Sequence, residues 1–311
     1  MLATGRNVIY KAFGLRIESE ILLPELPQMD EPTKRTDIII EIADLSEQWC
    51  KYNDKYEQRF VVEKNIVMFQ VPQTAIFSIQ EGRKITFSPL PGAEKDKIRL
   101  YLLGTCMGAL LIQRRILPLH GSALAINGKA YALIGDSGAG KSTLSSAFLR
   151  KGYQLLSDDV IAVSLSCEGT PFVSPSYPQQ KLWQESLNEF GMEPTHYRPL
   201  FERETKYAVP VSSQFFADPL PLVGVIELVK TEDESIEMIQ IEGLERLRTL
   251  FHHTFRNFLV PRLGLMKWHF TVCTNMVNKI NMFQLRRPTS RFTARELASL
   301  ILSSIHEELN Q

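Results

Sequence analysis

The sequence contains no two cysteines close enough in the chain to suggest a shared metal or a redox pair. Cys50, Cys106, Cys167 and Cys273 are widely spaced and form no CxxC motif. This excludes a disulfide-framed scaffold and a cysteine zinc site, and the thiols read as reduced and intracellular. Net charge is also lacking, because 35 Lys and Arg balance 35 Asp and Glu. No overall field therefore draws the chain to nucleic acid or a membrane surface. The longest apolar run, LYLLGTCMGALLI (100–112), lies between Arg99 and Gln113. It is too short to span a bilayer and predicts a buried helix. The opening MLATGRNVIYK has no apolar signal core, so the expected location is cytoplasmic, with neither membrane nor nucleic acid as partner. HExxH, the nucleophile elbow and GxGxxG are all missing. His196, His252, His253, His269 and His306 have no metal-ligand spacing and read as structural.

What remains is an ordinary globular composition, 44% apolar and 23% charged over 311 residues, which suggests about two domains. Short β-branched and aromatic runs at 37–42, 59–63, 66–71, 75–79 and 83–88 predict strands. The Pro- and Gly-containing SPLPGAEKDK (88–97) then reads as a linker. The expectation is a β-rich N-terminal domain over 1–95 and a second domain over 96–311. Within the latter, SALAI and AYALI flank Asn127-Gly128, the pair favoured in tight hairpins. Strands are expected at 222–229, 235–241 and 279–285, and helices at 244–259 and 293–308. From Gly243 to Gln311, ten Lys and Arg face four Asp and Glu; a solvated helix face is the simpler reading of that excess, a phosphate or an acidic peptide the alternative.

The chemistry concentrates in IGDSGAGKST. Gly135-Asp136-Ser137-Gly138-Ala139-Gly140-Lys141-Ser142 matches the full phosphate-binding loop, and Thr143 continues it into a helix. Glycines let successive N–H groups turn inward onto phosphate oxygens, and the helix N-terminus adds partial positive charge. Lys141 can reach the β and γ phosphates, and the Ser142 hydroxyl can ligate an accompanying Mg2+. The strand YQLLS then delivers Asp158 and Asp159. If that strand–loop–helix–strand unit is parallel, both acids fall at the loop's edge of the sheet. Adjacent strand residues point to opposite sides, so one acid can hold the metal with Ser142 while the other faces the incoming nucleophile. His120 precedes the first hairpin strand, whose pairing with the strand feeding the loop would bring it near the phosphates, with a structural histidine as the simpler reading. Two further segments, SPSYPQQKLW (174–183) and RETKYAVPV (203–211), read as loops. Their Lys181, Arg203 and Lys206 are candidate contacts to phosphate or substrate, with an ordinary exposed cation as the simpler reading of each.

Taken together, His120-Gly121, the loop from Gly135 to Ser142, and Asp158-Asp159-Val160 resemble the core of the HPr kinase/phosphorylase family, whose fold is shared with phosphoenolpyruvate carboxykinases. The resemblance implies a mixed α/β P-loop kinase core and a reaction in which ATP and Mg2+ phosphorylate a serine on a protein. It implies Asp158 as general base, Asp159 as metal ligand with Ser142, Lys141 on the phosphates and His120 at the point of transfer. The Gly-rich signature that follows the acid pair in the regulatory enzyme is missing here. The opening YKAFGLRIESEILLPELP, with PSYPQQKLW and KYAVPV, is similar instead to the HPr-kinase-like serine kinases of peptide-tailoring systems, lasso peptide kinases among them. That implies a peptide or small-protein acceptor, such as a lasso precursor peptide with a C-terminal serine. A kinase of a small hydroxylated metabolite and a non-catalytic nucleotide-binding regulator are the alternatives.

Overall fold

The computed structural model describes residues 7–29, 35–53, 60–200 and 203–309. Two seven-stranded sheets and one three-stranded sheet organise them. The first sheet opens with a hairpin of β1 (Val8–Ala12) and β2 (Leu15–Ser19), followed by β3 (Ile38–Ile42) and helix α1 (Ser46–Asn53). A meander of β4 (Phe60–Glu63), β5 (Ile66–Val71), β6 (Ala75–Gln80) and β7 (Lys84–Pro89) completes it. The five predicted runs coincide with β3 to β7, except that residue 59 lies outside the described residues. The β1–β2 hairpin was not anticipated.

Helix α2 (Lys95–Tyr101) passes through a π-helical turn (Leu102–Cys106) into α3 (Met107–Gln113). Leu102, Cys106, Met107, Leu110 and Leu111 are fully buried, so the apolar run is the buried helix its composition predicts. Its residues share one cluster with Phe77 and Phe87 of the first sheet and with Val160, Ala162, Leu259 and Val260 further along the chain. Apolar packing thus continues across residue 95. Among the described residues no helix is long and apolar enough to cross a membrane.

The second sheet begins with β8 (Leu117–Ile126) and β9 (Lys129–Ile134). Asn127 and Gly128 join them with φ of 51° and 73°, the left-handed pair that a type I′ turn requires. From β9 the chain enters the glycine-rich loop, then α4 (Lys141–Arg150), β10 (Gln154–Leu165) and β11 (Pro171–Ser174). Next come β12 (Gln179–Trp183), α5 (Gln184–Glu189), β13 (Arg198–Leu200) and β14 (Arg203–Pro210), which form the three-stranded sheet. Then follow β15 (Leu220–Thr231), β16 (Glu237–Gln240), α6 (Gly243–His252), α7 (Leu259–Arg262), α8 (Met266–Val277), β17 (Asn281–Pro288) and α9 (Ala294–Leu309). The second sheet has the order β11-β10-β8-β9-β15-β17-β16. Its central strands β8, β9 and β10 are buried on both faces. Leu124, Leu133 and Leu155 meet α4 and α9, while their neighbours Ala123, Ala132 and Leu156 meet α6 and α8. This is a period-two alternation with apolar residues at every position, as a sheet covered by helices on both sides demands.

Three sequence expectations need correction. The segments 174–183 and 203–211 are not loops, because Gln179–Trp183 and Arg203–Pro210 pair as antiparallel strands. The helix expected over 244–259 ends at His252; Phe255 N–H turns to bond the Pro118 carbonyl, and Arg256 takes φ 55°. Leu244, at the start of the expected helix, is 83% exposed. Finally, β10 does not lie beside β9: β8 sits between them, antiparallel to both, and the acid pair falls inside β10 rather than at its end.

That arrangement sets a row across five strands at the root of the loop. Asp159 on β10 lies opposite Gly121 on β8, which lies opposite Ile134 on β9; Glu227 on β15 and Gln284 on β17 continue the row. Gly121 is the tight point. A Cβ there would stand 2.1 Å from the Leu133 carbonyl oxygen and 3.2 Å from Ile161, and a backbone carbonyl held in a ladder cannot yield. Gly121→Ala is expected to lower the unfolding free energy by at least the ~1–3 kcal/mol typical of an overpacked core. Urea denaturation measures this, and a variant of wild-type stability would show that the row is not so tightly packed.

Candidate active site

A cavity of about 610 Å3 opens above this row. The glycine-rich loop forms one wall, with positive φ at Gly135, Gly138 and Gly140. Gly135 has no room for a side chain, since a Cβ would lie 2.5 Å from the Leu228 carbonyl oxygen. Arg287 braces the loop from β17, its Nε donating to the Ala139 carbonyl at 2.8 Å. Lys141 opens α4, and its Nζ donates to the carbonyls of Gly135 (2.7 Å) and Asp136 (2.9 Å). Burial brings the Lys141 ammonium down to about 8, against the pull of Asp158 and Asp159.

Both acids of the pair line the cavity. On a regular strand they would face opposite sides. Asp159 departs from the extended region, with φ 79°, a conformation that is uncommon away from glycine. Asp158 is 3% exposed. It accepts hydrogen bonds from Ser122 Oγ (2.5 Å), Ser142 Oγ (3.0 Å) and the Lys181 backbone N–H (2.8 Å). The resemblance paired Ser142 with Asp159, but the carboxylate that meets the Ser142 hydroxyl here is Asp158. The physical reason is register: Asp158 lies opposite Ser122, on the side of the sheet toward α4.

Asp159 instead takes the Lys181 ammonium at 2.5 Å. Burial alone would raise the Asp159 carboxyl, but Lys181 and His120 outweigh it and hold the group well below the usual carboxylate range. Burial likewise opposes the charge on Lys181, and Asp159 keeps that ammonium protonated well above its ordinary range. His120 completes the group. Its Nδ1 lies 3.1 Å from the Asp159 carbonyl, which can only accept, so the neutral ring carries its proton on Nδ1 and leaves Nε2 as an acceptor. Burial lowers the His120 pKa, with Asp159 opposing.

The remaining predicted residues divide. Asp136, Ser137, Ser142, Thr143, Lys181 and Lys206 line the cavity. Thr143 Oγ1 is bonded to Ser186 Oγ at 2.7 Å, and the Lys206 ammonium lies over the Trp183 ring, 5.4 Å from its centroid. Ala139 is buried beneath the loop. The side chain of Arg203 lies outside the described residues. The paired strands β12 and β14 are what carry Lys181 and Lys206 to the phosphate loop.

Sequence reading missed the wall formed by residues 252–258. His253 is buried, and its Nε2 meets Glu227 Oε1 at 2.8 Å while Gln284 Nε2 donates to Glu227 Oε2 at 2.9 Å. The hydrogen bond from His253 chiefly holds the Glu227 carboxyl below its usual range. His252 Nε2 lies 3.2 Å from Asp136 Oδ1. The doubled histidine was the only sequence signal, and spacing rules gave no reason to connect it with a loop more than a hundred residues upstream.

No family model matches the chain. It is 30% identical over 101 residues to the HPr kinase/phosphorylase of Lactobacillus gasseri, covering 30% of this chain and 32% of that protein. It is 30% identical over 142 residues to the HPr kinase/phosphorylase of Limosilactobacillus reuteri, covering 42% of this chain and 43% of that one. The chain thus spans less than half the length of these curated relatives. Among solved structures, the HPr(Ser) kinase/phosphatase of Coxiella burnetii aligns with 62% of this chain and 93% of its own, at 15% identity and a TM-score of 0.36.

The position of Lys141 has a measurable consequence. Its ammonium loses its proton near pH 8, whereas bound phosphates favour the charged form. With ATP as the probe ligand for this loop, affinity is therefore expected to fall as pH rises above about 8, and any binding near that pH is expected to take up a proton. Calorimetry in buffers of different ionisation enthalpy reads this directly, and a pH-independent affinity between 7 and 9.5, on a scale of roughly one ordinary lysine shift, would contradict it.

Proposed function

We propose that the protein is a Mg-ATP-dependent kinase that transfers the terminal phosphoryl group to a serine hydroxyl of a peptide or small protein. The observation that carries this reading is the convergence of Lys141, Ser142, Asp158 and Asp159 on one cavity whose opposite wall is free of the loop. A nucleotide-sensing protein has no use for a second, half-buried acid held ionised beside the phosphates. Similarity to HPr kinase/phosphorylases supports phosphoryl transfer. A second cavity, of about 370 Å3, shares Leu100, Lys181 and Leu200 with the first, and this supports an acceptor larger than a single hydroxylated metabolite. A lasso-type precursor peptide is the acceptor class that the opening segment and PSYPQQKLW suggest.

The donor set around Ser142 fits a hard divalent cation: one hydroxyl and one carboxylate, both oxygen, at the N-terminus of the phosphate-loop helix. Ser142 and Asp158 would hold Mg2+, which would supply charge neutralisation to the bound phosphates. Lys141 releases the loop carbonyls to meet the phosphates. Asp159, fixed by Lys181, faces the acceptor and orients its hydroxyl. His120, neutral and with Nε2 unprotonated, stands next to that acid. Most of the catalytic effect in such a reaction comes from positioning and charge stabilisation, and this cavity supplies both.

The division of labour is testable by paired substitutions, with phosphate-sized mass gain on serine peptides as the assay. Asp158→Asn should raise the Mg2+ concentration needed for half-maximal activity by about tenfold or more. Asp159→Asn should lower kcat by about a hundredfold or more with the Mg2+ requirement little changed. The opposite pattern would restore Asp158 as the base. Nucleotide binding with no transfer to any serine peptide or alcohol would overturn the kinase reading.

A further inference from the structure

We propose that Asp136, His252 and His253 form a second cation site, one suited to a borderline divalent ion such as Zn2+ or Co2+, at the rim of the phosphate-loop cavity. One ligand atom from each residue lies within 4.8 Å of the others. His252 Nε2 and Asp136 Oδ1 are already 3.2 Å apart, close to the roughly 3.3 Å that separates ligands around a tetrahedral ion with bonds of ~2.0–2.1 Å. Asp136 and His252 are exposed, with side chains 81% and 62% accessible, so the small closing movement falls on groups free to make it. Two imidazoles and one carboxylate are the donors of zinc, cobalt and related ions, whereas the all-oxygen pair Ser142 and Asp158 suits Mg2+.

The backbone beneath is fixed on both sides. Lys141 bonds the Asp136 carbonyl and leaves its carboxylate to the histidines. The His253 carbonyl accepts the His120 N–H at 2.8 Å, and Thr254 bridges to Leu119 on β8. Behind His253, Glu227 and Gln284 form the outer hydrogen-bond relay that orients a ligating imidazole and sets which nitrogen is free. A hydrogen bond between His252 and Asp136 alone would need no such relay. Three protein ligands leave a position open to the cavity. That a phosphate oxygen fills it rests on the kinase reading; the ion site itself does not.

The test uses the full chain, stripped with chelator and titrated with Co2+ in the absence of nucleotide. The expected result is one equivalent bound with the intense visible absorption of a low-coordinate nitrogen-ligated site. His252→Ala and Asp136→Asn, both at exposed positions, should weaken binding by about tenfold or more, and Glu227→Gln should do so through the outer relay. Asp158→Asn should leave the Co2+ spectrum intact. Equal binding by wild type and His252→Ala, the weak spectrum of an all-oxygen octahedral ion, or loss of the bands in Asp158→Asn would each overturn the proposal. Because the readout is binding without turnover, failure here leaves the kinase reading standing, and failure of transfer leaves the ion site standing.

Discussion

The close approach of β8 to β9 at Gly121 is the constraint on which the rest depends. With no side chain at that position, the Leu133 carbonyl and the β8 backbone pack at a distance that any Cβ would prevent. The strand that feeds the phosphate loop and the strand that carries the acids are therefore held one strand apart, with Asp159, Gly121 and Ile134 in a single row. Glu227 and Gln284 extend that row to the far side of the loop. Polar groups at the two ends of the row thus face the loop from two sides, while its centre is apolar or bare.

Electrostatics then distributes the charges. Taking a carboxylate and an ammonium out of water is costly unless each finds its partner and its hydrogen bonds. Asp159 and Lys181 meet that condition at 2.5 Å, and Asp158 meets it through two serine hydroxyls and a backbone N–H. Lys141 donates to carbonyls of its own loop, and burial outweighs the pull of Asp158 and Asp159 on its proton. Each of these charges thus meets its partner within the protein itself. The positive φ of Asp159 belongs to the same design, because strained backbone of this kind persists where surrounding packing over-determines it.

Much of this was legible in the linear chain where local chemistry decides. Strands β3 to β7 of the first sheet, the Asn127-Gly128 hairpin and the glycine-rich loop follow from side-chain branching, turn preference and glycine spacing, all properties of neighbours in sequence. The strands that hold Lys181 and Lys206 were hidden because Pro175, Pro178 and Pro210 punctuate them, and proline reads as loop until an edge or an antiparallel partner accommodates it. The helix expected over 244–259 broke at His252 because β8 competes for its backbone: the Pro118 carbonyl and Leu119 take Phe255 and Thr254 into pairing. Periodicity cannot register such a tertiary competitor.

The sequence by itself determined that residues 135–142 carry a phosphate-loop pattern running from a strand into a helix, and that two carboxylates and a histidine lie nearby in the chain. A glycine-rich turn opening a helix, and acids two elements later, are contiguous signals. Which carboxylate meets Ser142, which lysine neutralises the other, and that His252 and His253 reach the loop at all were decided only by tertiary structure. The reason is physical: a shift of one residue in strand register exchanges the two faces of a sheet, and the register of β10 against β8, with its irregularity between Leu155 and Ser157, exists only in the assembled sheet.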